Sequence, residues 1–326
     1  MADAHPEFRL GRFRTATGEQ FSGVVIGDEV VALRSLDVGP SSVDGLLADW
    51  PATWKTLHDA VLDTTGSGTW ARHTVDLGTL TPLAPFTPGQ VFQSGANYRT
   101  HVEQLIVASA LEQGHADIAL VRAQAAETMR HRAEHGTPYV FTGLPSAVCG
   151  PRDDVVLPPT GTQHDWELEL GVVIGRHTYR ASRADALDAV AGYVIVNDIT
   201  TRDRVFRPDM PSLGTDWLAG KNAPTFLPLG PWLTPAPFVD DPMDLRITLA
   251  LNGRTMQDAS TADMIFDIGQ LIEHISAITP LRPGDLLATG SPAGNGAHYN
   301  RYLRAGDIME SSITGLGSQR NQCVDG

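Results

Sequence analysis

Two glutamates separated by one residue, Glu167 and Glu169, lie in the stretch 165–175, where side-chain types alternate. Alternation with a period of two is typical of a β-strand, so both carboxylates are expected on one strand face. Neighbouring carboxylates repel each other unless water hydrates them or a cation lies between them. The pattern leaves two alternatives open, a solvated polar face or a site for a divalent cation with oxygen ligands. The opposite face is apolar and consists of Trp166, Leu168, Leu170, Val172 and Ile174.

A third carboxylate, Asp198, ends the predicted strand 192–198. If this strand lies beside the strand 166–174, Asp198 completes a set of three with Glu167 and Glu169. Carboxylate oxygens with open coordination positions suit Mg²⁺, Mn²⁺ or Ca²⁺ better than zinc. The spacing alone is explained equally well by a solvated face, since antiparallel sheets often have one face in water.

The elements that would position these residues begin with a short α+β segment. Residues 8–36 contain three strand-like runs, and residues 42–62 have helical spacing. The proline-rich segment 80–89 then indicates a boundary. Residues 1–85 are therefore predicted to form a small N-terminal α+β domain.

Residues 86–326 are predicted to form a β-rich α+β body. Helical spacing over about 102–135, with a break around Gly114, predicts a helical hairpin. Further helices are predicted from Ser182 and over 261–275. Many strands with few helices between them favour an α+β fold over a doubly wound sheet. The predicted strands are 90–97, 139–142, 154–157, 166–174, 193–198, 245–252 and 285–289.

Composition restricts the partners and the compartment. The net charge of −14 argues against nucleic acid or an anionic membrane as a partner, but a small anionic substrate is compatible because a bound metal reverses the field locally. No apolar run reaches the roughly 18 residues of a membrane span, and no export signal is expected. Cys149 and Cys323 fit no metal or redox spacing, so a cytoplasmic protein is expected.

An ordered series of motifs covers about residues 90–317. It consists of DWELELGVVIG at 165–175, NDITTRD at 197–203, KNAPTFLPLGP at 221–231, LNGRTMQ at 251–257, PGDLLATGSPAG at 283–294 and GD at 306–307. This series resembles the fumarylacetoacetate hydrolase family. The resemblance implies the family's β-rich catalytic fold, a mixed β-sheet or β-roll preceded by a small N-terminal domain. It also implies a homodimer with a site for Mg²⁺ or Mn²⁺ that acts on 2-oxo or 1,3-diketo acids.

By position in these motifs, the resemblance implies that Glu167, Glu169 and Asp198 are the metal ligands. Lys221 and Arg202 match positions that contact substrate or stabilise developing negative charge, which carbon–carbon cleavage beside a ketone requires. Without the resemblance, Lys221 would be interpreted as a solvated surface residue and Arg202 as a member of a structural ion pair.

His101 matches the family's catalytic histidine, and its implied role is that of a general base, which suits a side chain that titrates near neutral pH. Tyr98 is expected to help close the pocket. Gly290 and Ser291 are expected to bind a substrate carboxylate through backbone N–H groups and a hydroxyl. Taken singly, a structural histidine and a plain turn are the alternatives.

Several positions around the expected pocket depart from the family's pattern. Gln104 stands where many relatives carry a glutamate that polarises the histidine, so either the base is weaker or a carboxylate of the hairpin replaces that glutamate. Residues 142–144 lack the lysine that relatives often carry after the position of Phe141, and Val205 replaces a glutamine of some members. The altered rim predicts a substrate different from those of the best-known members. The candidate replacement carboxylates are Glu103, Glu112, Glu127 and Glu134.

Together these residues predict a metal-dependent hydrolase that cleaves a carbon–carbon bond in a 2-oxo or 1,3-diketo acid. Decarboxylation or keto–enol isomerisation of a 2-oxo acid at the same site is an alternative, because the neutral amide of Gln104 supports a general base less than a carboxylate does. A non-catalytic protein that binds a small acid is a third possibility, but such a protein has no need of the carboxylates, His101 and Lys221 together.

Overall fold

The computed structural model describes residues 6–113 and 117–326, so Gly114 of the predicted break lies outside them. The N-terminal part contains the predicted strands and helical segment. Ser42 begins the first helix as its N-cap, since its hydroxyl accepts the N–H of Gly45 at 3.1 Å. The elements are β1 (Arg9–Arg14), β2 (Gln20–Ile26), β3 (Glu29–Ala32), α1 (Val43–Ala48), α2 (Trp50–Gly66), β4 (Thr74–Asp76) and β5 (Thr81–Leu83).

The predicted helical hairpin is present as two helices that pack against each other. The second of these begins at an N-cap, Asp117, whose carboxylate accepts the N–H of Leu120 at 2.9 Å. Its buried side chains are Ala125 and Met129. This part of the chain comprises β6 (Val91–Gly95), α3 (Arg99–Glu112), α4 (Ile118–His135), β7 (Tyr139–Gly143), β8 (Val148–Cys149) and β9 (Val155–Leu157).

The strands that carry the three candidate carboxylates are neighbours, as the sequence predicts. They run antiparallel, and Leu168 lies opposite Asn197. This section consists of β10 (His164–Asp165), β11 (Leu168–Ile174), α5 (Arg183–Ala186), β12 (Val190–Asn197), β13 (Thr200–Thr201), α6 (Trp217–Lys221), β14 (Leu227–Pro228) and β15 (Trp232–Pro235).

The predicted helix 261–275 starts too early, and this prediction is wrong at its N-terminal end. The backbone N–H groups of Ile265 and Phe266 are bonded to Asn97, which holds this segment out of a helix. The helix begins only after Asp267, which forms a capping box with Gln270. The last elements are β16 (Arg246–Leu251), β17 (Arg254–Ser260), α7 (Ile268–Ile278), β18 (Leu286–Ala288), α8 (Gly296–Tyr299), β19 (Ile308–Ile313) and β20 (Gly317–Asp325).

Among the described residues, most strands form two large mixed sheets, and β10 with β13 and β14 with β8 form two small two-stranded sheets. Eleven strands make the first, in the order β4-β3-β2-β1-β15-β12-β11-β18-β6-β7, with β5 also paired to β1. Five strands make the second, in the order β17-β16-β19-β20-β9. The N-terminal strands join the first sheet where Leu10 of β1 lies opposite Leu233 of β15. A domain boundary at residues 85–86 stays a prediction.

The hydrophobic core divides along the two faces of β11. Trp166, Leu168 and Leu170 belong to one cluster with the interior of the second sheet and α7. The opposite face contributes Val173 to a cluster that also contains Leu10 and other N-terminal residues. Both faces of β11 are therefore buried. The two large sheets and the helices that accompany them confirm the predicted β-rich α+β fold. Among the described residues, none of the helices combines the length and the apolar character needed to cross a membrane.

Candidate metal centre and active site

Three buried carboxylates, here called the carboxylate cluster, meet where β11 and β12 lie side by side. They belong to Glu167, Glu169 and Asp198, and one oxygen of each lies within 4.8 Å of the others. Each of the three residues is less than a tenth exposed. The backbone N–H of Asp198 donates to the carbonyl of Glu167 at 2.8 Å, which brings the two strand ends together. Burial rules out the solvated-face alternative.

Two members of the carboxylate cluster have raised pKa values, because the cluster is buried and carries more negative charge than its neighbours offset. Burial, reinforced by the neighbouring Asp198, raises the pKa of Glu169 well above its usual range. Burial also raises the pKa of Asp198 to about 6, although Lys221 acts in the opposite direction. A divalent cation would stabilise all three charged carboxylates, and the oxygen-only donor set fits Mg²⁺, Mn²⁺ or Ca²⁺.

Lys221 lies at the end of α6 and is only 3% exposed, so the surface interpretation is wrong. Its Nζ donates to Asp198 Oδ2 at 2.6 Å and to the Asp198 carbonyl at 2.9 Å. It also donates to Glu167 Oε2. Burial disfavours the ammonium, but the carboxylates of Asp198 and Glu167 outweigh this effect and raise the pKa of Lys221. A permanent positive charge therefore borders the carboxylate cluster.

Arg202 follows β13 and forms the ion pairs that its structural interpretation predicted. Its Nε donates to Asp165 Oδ2 at 2.9 Å and its Nη2 donates to Glu167 Oε1 at 2.5 Å. Asp165 also accepts the N–H of Gly296 at 2.5 Å, at the start of α8. Burial would raise the pKa of Glu167, but Arg202 and Lys221 hold it below its usual range. A contact between Arg202 and substrate stays a prediction.

His101 lies in the first turn of α3, near Glu167 and Arg202. Burial lowers its pKa to about 4, with Arg202 acting in the same direction and Glu167 opposing it. The imidazole is therefore neutral at neutral pH, which is the form that can accept a proton. Glu167 is the carboxylate that favours its protonated form.

The hairpin carboxylates that were considered as partners of His101 lie in different settings. Glu127 is paired with Arg130 and its side chain is 64% exposed. Glu134 is near His135 and its side chain is 71% exposed. Glu103 is partly buried, and the Glu112 side chain lies outside the described part of the chain. A role of any of them beside His101 stays a prediction.

Gly290 and Ser291 support the site from the loop after β18. The N–H of Gly290 donates to Glu169 Oε2 at 2.7 Å. A Cβ at this position would lie 2.8 Å from the Cβ of Asn97, and the φ angle of +99° also favours glycine. The Ser291 hydroxyl accepts from Gln257 at 3.0 Å. Substrate binding by these two residues stays a prediction.

The Tyr98 ring is fully buried. Burial raises the pKa of its phenol well above the usual range, and the charge of Glu169 adds to this shift. Tyr98 therefore lies beside the carboxylate cluster, and its expected role in closing the pocket stays a prediction.

The match to known proteins covers the part of the chain that contains this site. Residues 90–324 match the family model described as fumarylacetoacetate (FAA) hydrolase C-terminal. The chain belongs to the fumarylacetoacetate hydrolase family. It is 46% identical over 188 residues to 2,4-didehydro-3-deoxy-L-rhamnonate hydrolase of Sphingomonas sp. strain SKA58, a match that covers 57% of this chain and 64% of that protein. This chain thus spans just under two thirds of that relative.

Solved structures of other proteins resemble nearly the whole chain. A probable 2-hydroxyhepta-2,4-diene-1,7-dioate isomerase from Mycobacterium abscessus has a TM-score of 0.71 and 30% identity, covering 98% of this chain and 99% of that one. Maleylpyruvate hydrolase from Sphingobium sp. SYK-6, in complex with manganese (II) ion and pyruvate, has a TM-score of 0.69 and 28% identity, with 98% and 99% covered. The predicted fold of the fumarylacetoacetate hydrolase type is confirmed.

Gln93 of β6 also supports the carboxylate cluster, although no sequence pattern indicated it. Its Nε2 donates to Asp198 Oδ1 at 2.5 Å. Space for Gln93 depends on Gly143 of β7, because a Cβ there would lie 2.5 Å from Gln93 Oε1. The strand containing Gln93 was predicted, but its pairing and the face that meets Asp198 were not.

Two further polar residues also bond to Glu167. The Thr200 hydroxyl donates to Oε2 at 3.0 Å, and Asn295 Nδ2 donates to Oε1 at 3.3 Å. Thr200 lies within the motif 197–203, which was a signal for its involvement. Asn295 lies in the loop after Gly294, where no sequence pattern distinguished it from a turn residue.

Proposed function

We propose that this chain is a divalent-metal-dependent hydrolase that cleaves a carbon–carbon bond in a 2-oxo or 1,3-diketo acid. The observation that carries this proposal is the carboxylate cluster, with the Lys221 ammonium against it and a neutral His101 nearby. The names of the relatives add support. One is a hydrolase of a 2,4-didehydro-3-deoxy sugar acid, and another hydrolase was solved with manganese and pyruvate.

Glu167, Glu169 and Asp198 would hold Mg²⁺ or Mn²⁺, and Ca²⁺ is compatible with the same oxygen donors. When bound, the ion would polarise the carbonyl of a 2-oxo acid and offset the charge of its carboxylate.

The protein groups divide the hydrolysis between them. His101 takes a proton from water as the water oxygen bonds to the carbonyl carbon remote from the acid. The carbon–carbon bond then breaks, and its electron pair passes to the 2-oxo group as an enolate, whose charge Lys221 stabilises. Return of the proton to the enolate carbon gives a 2-oxo acid, and the other product is a carboxylic acid. Overall, one substrate and one water yield two acids.

We also propose that Arg202, Tyr98, Gly290 and Ser291 border the bound substrate. Arg202 carries five N–H donors, and its contacts with Asp165 and Glu167 leave part of the guanidinium for an anion. Tyr98 and Gly290 lie beside Glu169 and so adjoin the same ion position, and Ser291 follows Gly290 in the chain.

Isomerisation or decarboxylation of a 2-oxo acid is the second candidate. The 30% identity to a probable isomerase favours it, and so does the neutral amide of Gln104 near the proposed base. Both reactions also pass through an enolate, but neither needs attack by water.

A panel of substrates separates these candidates. Acylpyruvates, 2,4-diketo sugar acids and oxaloacetate are incubated with Mg²⁺, Mn²⁺ or EDTA, and the products are identified by mass spectrometry and by enzymatic assay of pyruvate. Equal amounts of pyruvate and a carboxylic acid, formed only with metal, are expected. An unchanged mass would indicate isomerisation, and carbon dioxide would indicate decarboxylation. Survival of every compound would contradict an enzymatic role.

We propose a homodimer in the cytoplasm as the working state. The segment before and within α6 carries large apolar side chains that are about two-thirds exposed, Phe206, Leu213 and Leu218, and a second copy would cover them. The free, buried thiols of Cys149 and Cys323 suit a reducing compartment. Light scattering should give twice the mass of the chain, and Leu213→Asp should shift it toward the monomer, whereas Leu187→Asp should not.

A further inference from the structure

Three aromatic side chains, here called the aromatic rim, lie beside Lys221. Phe141 of β7 stacks on Trp217 of α6, with ring centroids 4.2 Å apart and an angle of 11° between the planes. The Trp217 indole N–H donates to the Tyr139 hydroxyl at 2.7 Å. Lys221 Nζ lies 5.8 Å from the centre of the Phe141 ring. Stacking and a hydrogen bond thus join β7 to the helix that carries the lysine.

The strand register places two rings of the aromatic rim, those of Phe141 and Tyr139, on the same sheet face as Gln93. Phe141 lies opposite Gln93, and Tyr139 lies opposite Gly95. Opposite residues of an antiparallel pair point to the same side of a sheet. Since Gln93 donates to Asp198, the rings of Phe141 and Tyr139 project on the Asp198 side.

The helix α6 needs such support, because it has only five residues. A helix this short does not persist on its own propensity. The Asp216 carboxylate caps it by accepting the N–H of Ala219 at 3.0 Å. At the other end, the Asn222 side chain donates to the Trp217 carbonyl at 3.0 Å and accepts the N–H of Leu144 at 2.6 Å. The stacked Trp217 ring is the largest side chain among these contacts.

We propose that Trp217 is a positioning residue that holds the Lys221 ammonium against Glu167 and Asp198 through its stack on Phe141. The catalytic consequence rests on the proposed function, but the placement of the lysine does not. The proposal concerns side-chain position, so it makes a prediction about the metal-free protein and a separate one about metal affinity.

The chemical reactivity of lysine reports on this placement without any metal. The chain contains only two lysines, Lys55 and Lys221, and the Lys55 side chain is 80% exposed. Acylation of the metal-free protein with an amine-reactive ester, followed by peptide mass spectrometry, should modify Lys55 at once and leave Lys221 protected. Trp217→Leu should accelerate modification of Lys221 by about tenfold or more. Trp217→Phe keeps a stacked ring and loses only the hydrogen bond to Tyr139, so it should accelerate modification only slightly.

Metal affinity gives the second measurement. An ammonium that shares carboxylate oxygens with a divalent cation opposes binding of that cation. Titration calorimetry with Mn²⁺ should therefore show tighter binding by about tenfold for Lys221→Met. Trp217→Leu should tighten binding in the same direction by a smaller factor. In the Lys221→Met background, Trp217→Leu should change nothing further, because the charge it misplaces is gone.

A matched control separates positioning from general loss of packing. Trp54 of α2 also stacks on a phenylalanine, Phe8, with centroids 5.7 Å apart. Trp54→Leu should lower the melting temperature without changing Lys221 acylation or Mn²⁺ affinity. Tyr139→Phe removes only the hydroxyl that accepts the hydrogen bond from Trp217, so it is a milder variant if Trp217→Leu folds poorly. It should slightly accelerate Lys221 acylation and slightly tighten Mn²⁺ binding.

The outcomes discriminate between this proposal and the proposed function. Absence of Mn²⁺ binding by the unmodified chain would overturn the metal site, and lysine acylation would still decide the role of Trp217. Unchanged protection of Lys221 in folded Trp217→Leu and Tyr139→Phe would overturn the positioning role. Persistence of the Trp217→Leu effect on Mn²⁺ binding in the Lys221→Met background would also overturn it.

Discussion

The carboxylate cluster and the aromatic rim adjoin each other at Lys221 but are stabilised by different interactions. The carboxylate cluster is buried, and the cations Lys221 and Arg202 offset part of its negative charge, while the amide of Gln93 adds a hydrogen bond. The aromatic rim is held by stacking and by one hydrogen bond, and Tyr139 is 45% exposed. Electrostatic interactions thus stabilise the carboxylate cluster, whereas ring packing stabilises the aromatic rim.

This difference indicates how the two regions respond to substitution. Removal of one partner of a buried ion pair leaves the other charge buried without compensation, which raises the free energy of the folded state. Substitutions in the carboxylate cluster are therefore expected to have large effects. Stacked rings at a partly exposed edge tolerate a replacement ring. The departures from the family pattern near Phe141 lie on the rim side, where substrate selection can change while the ion site is kept.

The largest effect is expected at the carboxylate cluster itself. Glu169→Ala should lower turnover by roughly 10³-fold or more, because loss of the ion removes several kcal/mol of stabilisation of developing charge. The measurement is the initial rate with saturating Mn²⁺. Glu310→Ala, at an exposed glutamate, is the matched control and should keep the rate. Equal rates for both variants would show that Glu169 holds no catalytic ion.

His101→Ala tests the proposed general base. Hydrolysis should fall by roughly 10²-fold or more, the usual contribution of a positioned base, while Mn²⁺ affinity should stay within about threefold. Rates and calorimetric titrations on the same preparation check both values. His135→Ala replaces an exposed histidine of α4 and should leave the hydrolysis rate and the Mn²⁺ affinity unchanged. An unchanged hydrolysis rate of His101→Ala would show that His101 is not the general base.

Gln93→Leu tests the support that β6 gives to Asp198. Removal of a hydrogen bond to a metal ligand should weaken Mn²⁺ affinity by about tenfold. Calorimetry measures the change, and Gln124→Leu on the exposed side of α4 is the control. Identical Mn²⁺ affinities for the two variants would show that Gln93 does not support metal binding.

The pH dependence of metal affinity follows from the raised pKa of Asp198. Because this pKa is about 6, a proton competes with the ion below that pH and is displaced on binding. The raised pKa of Glu169 acts in the same direction. Mn²⁺ affinity should weaken by about tenfold or more per pH unit below about pH 6, since at least one proton is displaced. Affinity that is constant from about pH 7 to about pH 5 would contradict this charge balance.

The smallest effects are expected on the hairpin. Glu127→Gln and Glu134→Gln should each change the rate by less than about twofold, since both carboxylates are mostly exposed and exposed ion pairs contribute little. Steady-state kinetics of the two variants suffices. A loss comparable to that of His101→Ala would mean that the hairpin moves a carboxylate onto His101.

Local patterns were sufficient for part of the fold and of the candidate site. Alternation over β11 predicted the shared face of Glu167 and Glu169, and the apolar face from Trp166 to Ile174 lies in the core as expected. The neighbouring position of β12 brought Asp198 to the same place. The family motifs then pointed to Lys221, although spacing alone had favoured the surface.

Contacts between distant segments were beyond these patterns. Gln93 and Asp198 are 105 residues apart, and their contact depends on the strand order β12-β11-β18-β6, which no local pattern predicts. The false helix start at Thr261 has a similar cause. Its apolar spacing is helical, but bonds from Ile265 and Phe266 to the distant Asn97 override it.

Anomalous X-ray diffraction from a crystal grown with Mn²⁺ would locate the bound ion directly. A single strong anomalous peak is expected within about 2.5 Å of oxygens from Glu167, Glu169 and Asp198, and it should be absent from Glu169→Ala crystals. A carboxylate cluster without a peak at saturating Mn²⁺, with the Lys221 ammonium still bonded to Glu167 and Asp198, would contradict the proposed metal site.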